Sequence, residues 1–272
     1  MSAARLVRLF PIPAAEVELR GLYLSHGLHR LGGPDTPFVY ADFVSSLDGR
    51  IAVEEQVPQE IAGASDLRLL LELQAQADCV ITHAGYMRAI AQGRLGDILE
   101  VGARKETQDL AVWRREQGLA AQPSVVVASA SLDFPAPASL ANDPRRVLIA
   151  TSTDAPADRI EAWRKRGFEV LAAGSGSHVE GAALIRQLGA LGFRSVFLLA
   201  GPRMLETMLR GGMLSRLYLT LVHRLTGGKQ MQTMISGPEL GDAGRLRLAA
   251  LYHDPNGPQG VGQWFAQFDA GA

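Results

Sequence analysis

One cysteine, Cys79, stands in a chain of 272 residues. A single thiol cannot close an intramolecular disulfide or supply a multi-cysteine metal or iron–sulfur site, and it suits a reducing compartment. Net charge is nearly absent: 27 basic and 28 acidic residues leave −1, no field for holding a polyanion such as nucleic acid. Long apolar runs are missing too. The hydrophobic stretches are strand-length and interrupted, short of the ~20 residues a membrane-spanning helix needs. Residues 1–10 carry Arg5 and Arg8 with no apolar core after them, which is not the form of a secretory signal. The expectation is a cytoplasmic protein with a small-molecule partner, and with neither nucleic acid nor membrane as a partner.

Further absences narrow the chemistry. His26 and His29 could share a helical face, but no carboxylate or thiol set near them completes a tetrahedral site, so no metal is expected. No serine sits in a Gly-x-Ser-x-Gly elbow, which argues against an α/β-hydrolase. The paired bases Arg145-Arg146 and the run Arg164-Lys165-Arg166 lack interleaved aromatics and read as solvated faces. The 29 glycines and 14 prolines follow no Gly-X-Y period.

What is present is core. Hydrophobic residues make up 47% and charged residues 20%, enough to bury a large interior. Residues 1–36 read as an N-terminal extension, broken by Pro11 and Pro13 and closed by Gly32-Gly33-Pro34. Residues 37–272 read as one domain. Phe38–Val44 has the aromatic and β-branched content of a strand and runs into the turn Ser46-Leu47-Asp48-Gly49. Ser65-Asp66 is placed to cap a helix carrying Leu67, Leu70, Leu71 and Leu73. Apolar strands follow at 79–82, 125–128, 147–150, 168–171 and 195–200, with helices at 160–166 and 179–191. A further helix opens at Gly201-Pro202 and ends at Gly211-Gly212. Alternating strands and helices predict parallel pairing with crossovers. The strand-only C-terminus (216–223, 246–253, 263–268) predicts antiparallel additions. The fold class is therefore α/β, a mixed and mostly parallel sheet with helices on both faces.

Three segments are candidates for chemistry. Ala200-Gly201-Pro202-Arg203-Met204 joins a buried strand to a helix, where unpaired N–H groups and the macrodipole suit a phosphate; the same residues also make an ordinary tight turn. Gly174-Ser175-Gly176-Ser177 precedes a helix, but the third glycine, Gly181, would fall inside it, so a surface loop is the better reading. Asp48 could orient a polar substrate or carry a proton, or serve only as turn chemistry. Cys79 lies within an apolar strand and reads as core.

Taken in order, several pieces resemble the reductase domain of the riboflavin-biosynthesis deaminase-reductase family, which has the dihydrofolate-reductase-like fold. They are Ser46-Leu47-Asp48-Gly49-Arg50-Ile51-Ala52, the stretch from Gln74 through Asp78-Cys79-Val80 to Gly85-Tyr86-Met87, the strand 125–129 with Leu132, the Leu199-Ala200-Gly201-Pro202 turn, and 214–225 with Gly227-Gly228. The resemblance covers roughly residues 38–268. It implies a stand-alone reductase, since the family's zinc deaminase domain requires cysteines this chain lacks. It implies NADPH across the sheet, with Val44, Gly85, Tyr86 and Ser129 along the nicotinamide and ribose and with Gly201, Pro202, Arg203 and Met204 at the diphosphate. It places substrate at Ser46 and Asp48, with Asp48 in the catalytic, proton-managing role.

The implied reaction reduces a ribosylamino-pyrimidine phosphate to its ribitylamino form. Thr151, Ser152 and Thr153, with Arg145 or Arg146, are the expected 2′-phosphate contacts. The family's usual pairing implies a homodimer through Leu217–Val222, read here as an apolar edge strand, unless residues 1–36 fold back over it and keep the chain monomeric. Gln74, Tyr86, Ile90, Leu199 and Asp42 depart from the residues the family usually carries there. Those departures keep open a different pyrimidine-, pterin- or flavin-like substrate, or a nucleotide-binding protein without catalysis.

Overall fold

The computed structural model describes residues 5–33, 35–51, 63–141, 145–229 and 231–271. Strands whose side chains alternate between two buried faces build one 11-stranded sheet, and the helices between them cover both faces. In chain order the elements are β1 (Arg5–Phe10), β2 (Ala15–Glu18), β3 (Phe38–Ser46), α1 (Ala64–Ala75), β4 (Cys79–His83), α2 (Ala84–Ala91), α3 (Gln108–Glu116), β5 (Ser124–Ala128) and α4 (Ala138–Ala141). They continue with β6 (Val147–Thr151), α5 (Ala157–Lys165), β7 (Glu169–Ala172), α6 (Gly181–Ala190), β8 (Ser195–Leu198), α7 (Pro202–Arg210), β9 (Arg216–Val222), β10 (Leu246–Asp254) and β11 (Gln263–Ala270). The spatial order is β2-β1-β10-β11-β9-β3-β8-β4-β5-β6-β7. From β9 to β7 every pairing is parallel; β11, β10, β1 and β2 are antiparallel additions.

Alternation along the strands divides the core. Val39, Ile81, Val126, Leu148 and Leu198 point to one face, beneath Leu184 and Leu188 of α6 and Leu205 and Met208 of α7. Tyr40, Val80 and Phe197 point to the other, beneath Leu69 and Leu73 of α1, while Val125, Val127 and Ile149 meet Met87 of α2 and Trp163 of α5.

Residues 5–33 are part of this architecture. β1 pairs with β10, and Leu6, Leu19, Tyr23 and Leu28 are buried in the α1-side core. Buried α1 side chains hold the segment. The carboxylate of Glu72 accepts the N–H groups of Gly21 (2.6 Å) and Tyr23 (2.9 Å) and the guanidinium of Arg68 (2.8 Å). Gln76 accepts the Leu28 N–H at 2.8 Å and donates to the Tyr23 carbonyl at 2.8 Å. Arg114, 1% exposed, donates to the carbonyls of Ala75, Ala77 and Ala120, closing the C-terminal end of α1.

Two expectations need correction here. β9 is not an edge strand: β3 pairs on one side and β11 on the other. Its Leu217 and Leu219 enter the α7-side core, and its Tyr218 lies under Tyr23 and His26, with His26 Nδ1 2.8 Å from the Tyr218 hydroxyl. Ser65-Asp66 does not cap α1 either. The helix begins a residue earlier, after Gly63, with no side-chain cap, and Asp66 turns inward in its first turn.

Candidate active site

The carboxyl ends of β3, β8, β4 and β5 meet where the strand order reverses, the place where open α/β sheets bind ligands. A groove of about 780 Å³ opens there. Its floor is Ala128-Ser129-Ala130 after β5 and His83 at the end of β4. One wall is the start of α7, Gly201 to Met204 with Glu206 and Thr207, and the opposite walls are 178–180 with Ser175, and 236–238.

Local chemistry explains each wall. Gly201 has extended backbone and Pro202, which has no N–H, occupies the first helical turn; no side chain caps α7, and with the Met204 N–H on the Gly201 carbonyl (2.9 Å) the Arg203 N–H is left without a partner among the described residues. A β-carbon placed on Gly201 would lie 3.8 Å from His83 Nε2, so the glycine leaves open space here and is not filling a tight turn. Arg203 is exposed and makes no side-chain hydrogen bond or ion pair among the described residues. Glu180 accepts the N–H (3.0 Å) and hydroxyl (2.7 Å) of Ser175, which folds the 174–180 loop into the groove. Arg210 donates to the carbonyls of Pro238 and Glu239 and pairs with Glu206, fixing the 236–238 wall to α7.

The groove gathers Ser129, Gly201, Pro202, Arg203 and Met204 from the expected set. Gly85 lies beside it: a β-carbon there would meet the His83 ring at 2.8 Å. Tyr86 turns away, packing against the α2–α5 side with its hydroxyl donating to the Asp97 carbonyl at 3.3 Å. Val44 and Ser46 lie near the end of β3, outside the groove's lining.

Asp48, expected to manage a proton, is heavily hydrogen-bonded. Its carboxylate accepts from the Ser46 hydroxyl, Thr226 N–H (3.1 Å), Gly227 N–H (2.9 Å) and Arg50 Nε (3.2 Å). The hydrogen bonds from Ser46, Gly227 and Thr226 hold it far below the usual carboxylate range. An anion so committed anchors the β3 turn to the 224–228 loop and is a poor proton donor near neutrality.

Of the expected 2′-phosphate contacts, Thr153 is exposed just after β6, with its hydroxyl donating to Asp154 at 3.4 Å. Thr151 and Ser152 are buried, with the Thr151 hydroxyl donating to Ala130. Arg146 precedes β6, at the opposite end of the sheet, where it pairs with Glu169.

Most of the remaining groove residues carried no sequence signal. His83, Ser175, His178, Glu180 and 236–238 come from three separate stretches, of which only the 174–177 loop stood out in the sequence. The Gly174-Ser175-Gly176-Ser177 loop supplies a wall, and Gly181 stands at the mouth of α6, where a β-carbon would lie 2.9 Å from the Thr207 carbonyl oxygen.

Asp42 and Asp66 form a second unexpected feature. Asp42 pairs in register with Tyr218, and Asp66 hydrogen-bonds Thr220 two residues further along β9. Burial raises both carboxyls, Asp66 to about 6, and Asp66 raises Asp42 further. Groups whose folded pKa exceeds the unfolded value stabilise the fold fully below the unfolded pKa, and that contribution is lost as pH climbs through the folded pKa. Their contribution to stability should therefore fall as pH rises above about 4, for Asp66 through about 6. Replacing Asp42 with Asn should raise the thermal midpoint at about pH 8 by roughly 2–8 °C and change it little at about pH 4. Thermal melts across pH check this; an equal shift at both ends would contradict it.

A mixed sheet with a glycine-mouthed groove at the carboxyl ends of its parallel strands defines an α/β protein built to bind at its topological switch point. More particularly, the chain belongs to the RibD C-terminal domain family, whose model matches residues 37–259. It is 27% identical over 219 residues to the 2,5-diamino-6-ribosylamino-4(3H)-pyrimidinone 5′-phosphate reductase of Methanothermobacter thermautotrophicus, covering 79% of this chain and 93% of that one. It is 25% identical to the protein of the same name from Archaeoglobus fulgidus, over 74% of this chain and 87% of the other. In fold it matches a pyrimidine reductase-like protein from Corynebacterium diphtheriae, at TM-score 0.68 and 19% identity, over 87% of this chain and 92% of that one.

Proposed function

We propose that the protein is an NADPH-dependent reductase of riboflavin biosynthesis that converts a ribosylamino-pyrimidine phosphate to its ribitylamino form. The observation that carries this reading is the groove itself: an uncapped helix start behind Gly201, a free Arg203 and room for an extended dinucleotide, in a chain whose relatives are named for that reduction. Gly201, Pro202, Arg203 and Met204 would hold the diphosphate, and Ser129, Gly85 and Val44 would border the path toward the sheet's centre. Tyr86, facing Asp97, is left out of that path.

The bound nicotinamide would supply a hydride. The protein's own share is placement: the acceptor is the C1′ of the ring-opened sugar imine, which gains hydride at carbon while its nitrogen gains a proton. Ser46 and the Asp48 anchor would fix the substrate-side turn, Asp48 as a positioning residue. Arg203, the one exposed cation in the groove's lining, favours the phosphorylated cofactor.

A second reading, the same reduction chemistry on a different pyrimidine-, pterin- or flavin-like substrate, is favoured by one observation. Gln74 stands where the family carries an arginine, and it is buried with its amide committed to the Leu99 carbonyl at 2.8 Å. NADPH oxidation measured against a panel of pyrimidine ribosylamine phosphates, pterins and flavins separates the two. Turnover of the ribosylamine alone supports the first, turnover of another member the second, and oxidation of none leaves a nucleotide-binding protein.

A soluble monomer is the assembly we infer, because residues 20–28 already cover the β9 face assigned to a partner copy. Light scattering should give a mass near 29.2 kDa; twice that mass would restore the homodimer.

A further inference from the structure

His83 is the groove's one imidazole carried on the sheet, at the last residue of β4 and immediately before α2. Its ring is seated by two glycines. A β-carbon on Gly85 would meet its Cε1 and Nδ1 at 2.8 Å, and one on Gly201 would come within 3.8 Å of its Nε2. Alanine at 85 would push the ring out of place, while the gap at 201 leaves Nε2 looking across the mouth of α7. The ring makes no hydrogen bond among the described residues. The half-buried imidazole faces the uncapped N-terminus of α7 across the groove.

We propose that His83 donates a hydrogen bond to the dinucleotide's diphosphate and takes up a proton when that diphosphate binds, so that cofactor binding is tuned by pH through this one residue. The inference rests on the groove being the dinucleotide site.

The surrounding charges support it. Burial, and then Arg88 of α2, lower the pKa of the free imidazole below its ordinary value, so at neutrality it is uncharged. Arg203 and the start of α7 line the same groove. On the far walls stand His178 and the carboxylates Glu180 and Glu206, with Glu180 turned to Ser175 and Glu206 paired to Arg210. A diphosphate on Gly201 would bring negative charge within reach of Nε2 and reverse the balance, raising the imidazole's pKa. Between the free and the bound pKa, proton uptake accompanies binding, and affinity falls as pH rises through that interval.

The direct test is a proton NMR titration of the His83 C2–H in the intact protein, with and without saturating NADP+. The resonance is assigned by its loss in His83→Asn. The bound form should titrate at least about one pH unit higher, corresponding to a tenfold change in proton affinity. Calorimetry of NADP+ binding at slightly acidic pH, in two buffers of different ionisation enthalpy, should record more proton uptake for the wild type than for His83→Asn. The variant's affinity there should fall about 5–10-fold. If NADP+ binds and the His83 titration does not move, the inference is overturned while the cofactor reading stands. If NADP+ does not bind at all, the cofactor reading falls and takes the inference with it. The wild-type titration decides the matter even if the variant folds poorly.

Discussion

Replacing Gly201 with Val should lower NADPH affinity at least tenfold, about 1.4 kcal/mol, with little change in thermal stability. The structure makes this substitution unusually clean. Gly201 has φ −69° and ψ −179°, a backbone any residue adopts, and the nearest atom to an added β-carbon is His83 Nε2 at 3.8 Å. The branched side chain would therefore enter the groove without disturbing the core and would occupy the space a phosphate needs against the α7 N–H groups. Titration of NADPH by fluorescence against the folded variant gives the answer. Unchanged affinity would remove the diphosphate from the start of α7.

The second large effect concerns stability. Glu72 is fully buried and satisfies the N–H groups of Gly21, Tyr23 and Leu24 together with Arg68. Glu72→Ala would orphan three backbone donors and leave Arg68 to Asp109 alone, the kind of loss that costs about 3–5 kcal/mol. For a chain of this size that should lower the thermal midpoint by roughly 6–20 °C. Residues 20–28 should also become the first site of limited proteolysis, because their docking hangs on Glu72 and Gln76. A midpoint within a degree or two of wild type would mean that apolar packing of Tyr23 and Leu28 holds the segment without the carboxylate.

These two cases mark what could be read from the chain and what could not. The parallel middle was legible because its strands are short, wholly apolar and separated by helical stripes: Cys79–Thr82, Val125–Ala128 and Val147–Ala150 admit little else. The Gly201-Pro202 helix start was legible for the same local reason. β1 and β2 were not, since their partner β10 lies at the far end of the sequence and no local pattern announces a pairing of that range. α3, with Leu110 as its one buried apolar side chain, carries too thin a stripe to stand out. The apolar run of β9 suggests an edge strand, yet it is apolar because both of its faces and both of its neighbours are inside.

The site divides in the same way. Residues that lie consecutively, 201–204, stand out together; those that converge only in space do not, because His83, Ser175, Glu180 and Gly237 meet from three separate segments. Asp48 was legible as a motif residue, but its hydrogen-bonded surroundings were not. Its hydrogen bonds come from Thr226 and Gly227, loop residues that no reading of the β3 turn alone could supply. Asp42 and Asp66 acquire their raised protonation from mutual proximity and burial, which composition does not record.

Backbone hydrogen exchange of the intact protein, with and without NADP+, tests the central claim most directly. A dinucleotide in the groove should slow exchange at 201–205, 129–130 and 83–85. It should leave unchanged the segment 97–104, which lines a separate cavity of about 290 Å³ beside α1. Protection confined to 97–104, or none at any of these segments at saturating NADP+, would contradict it.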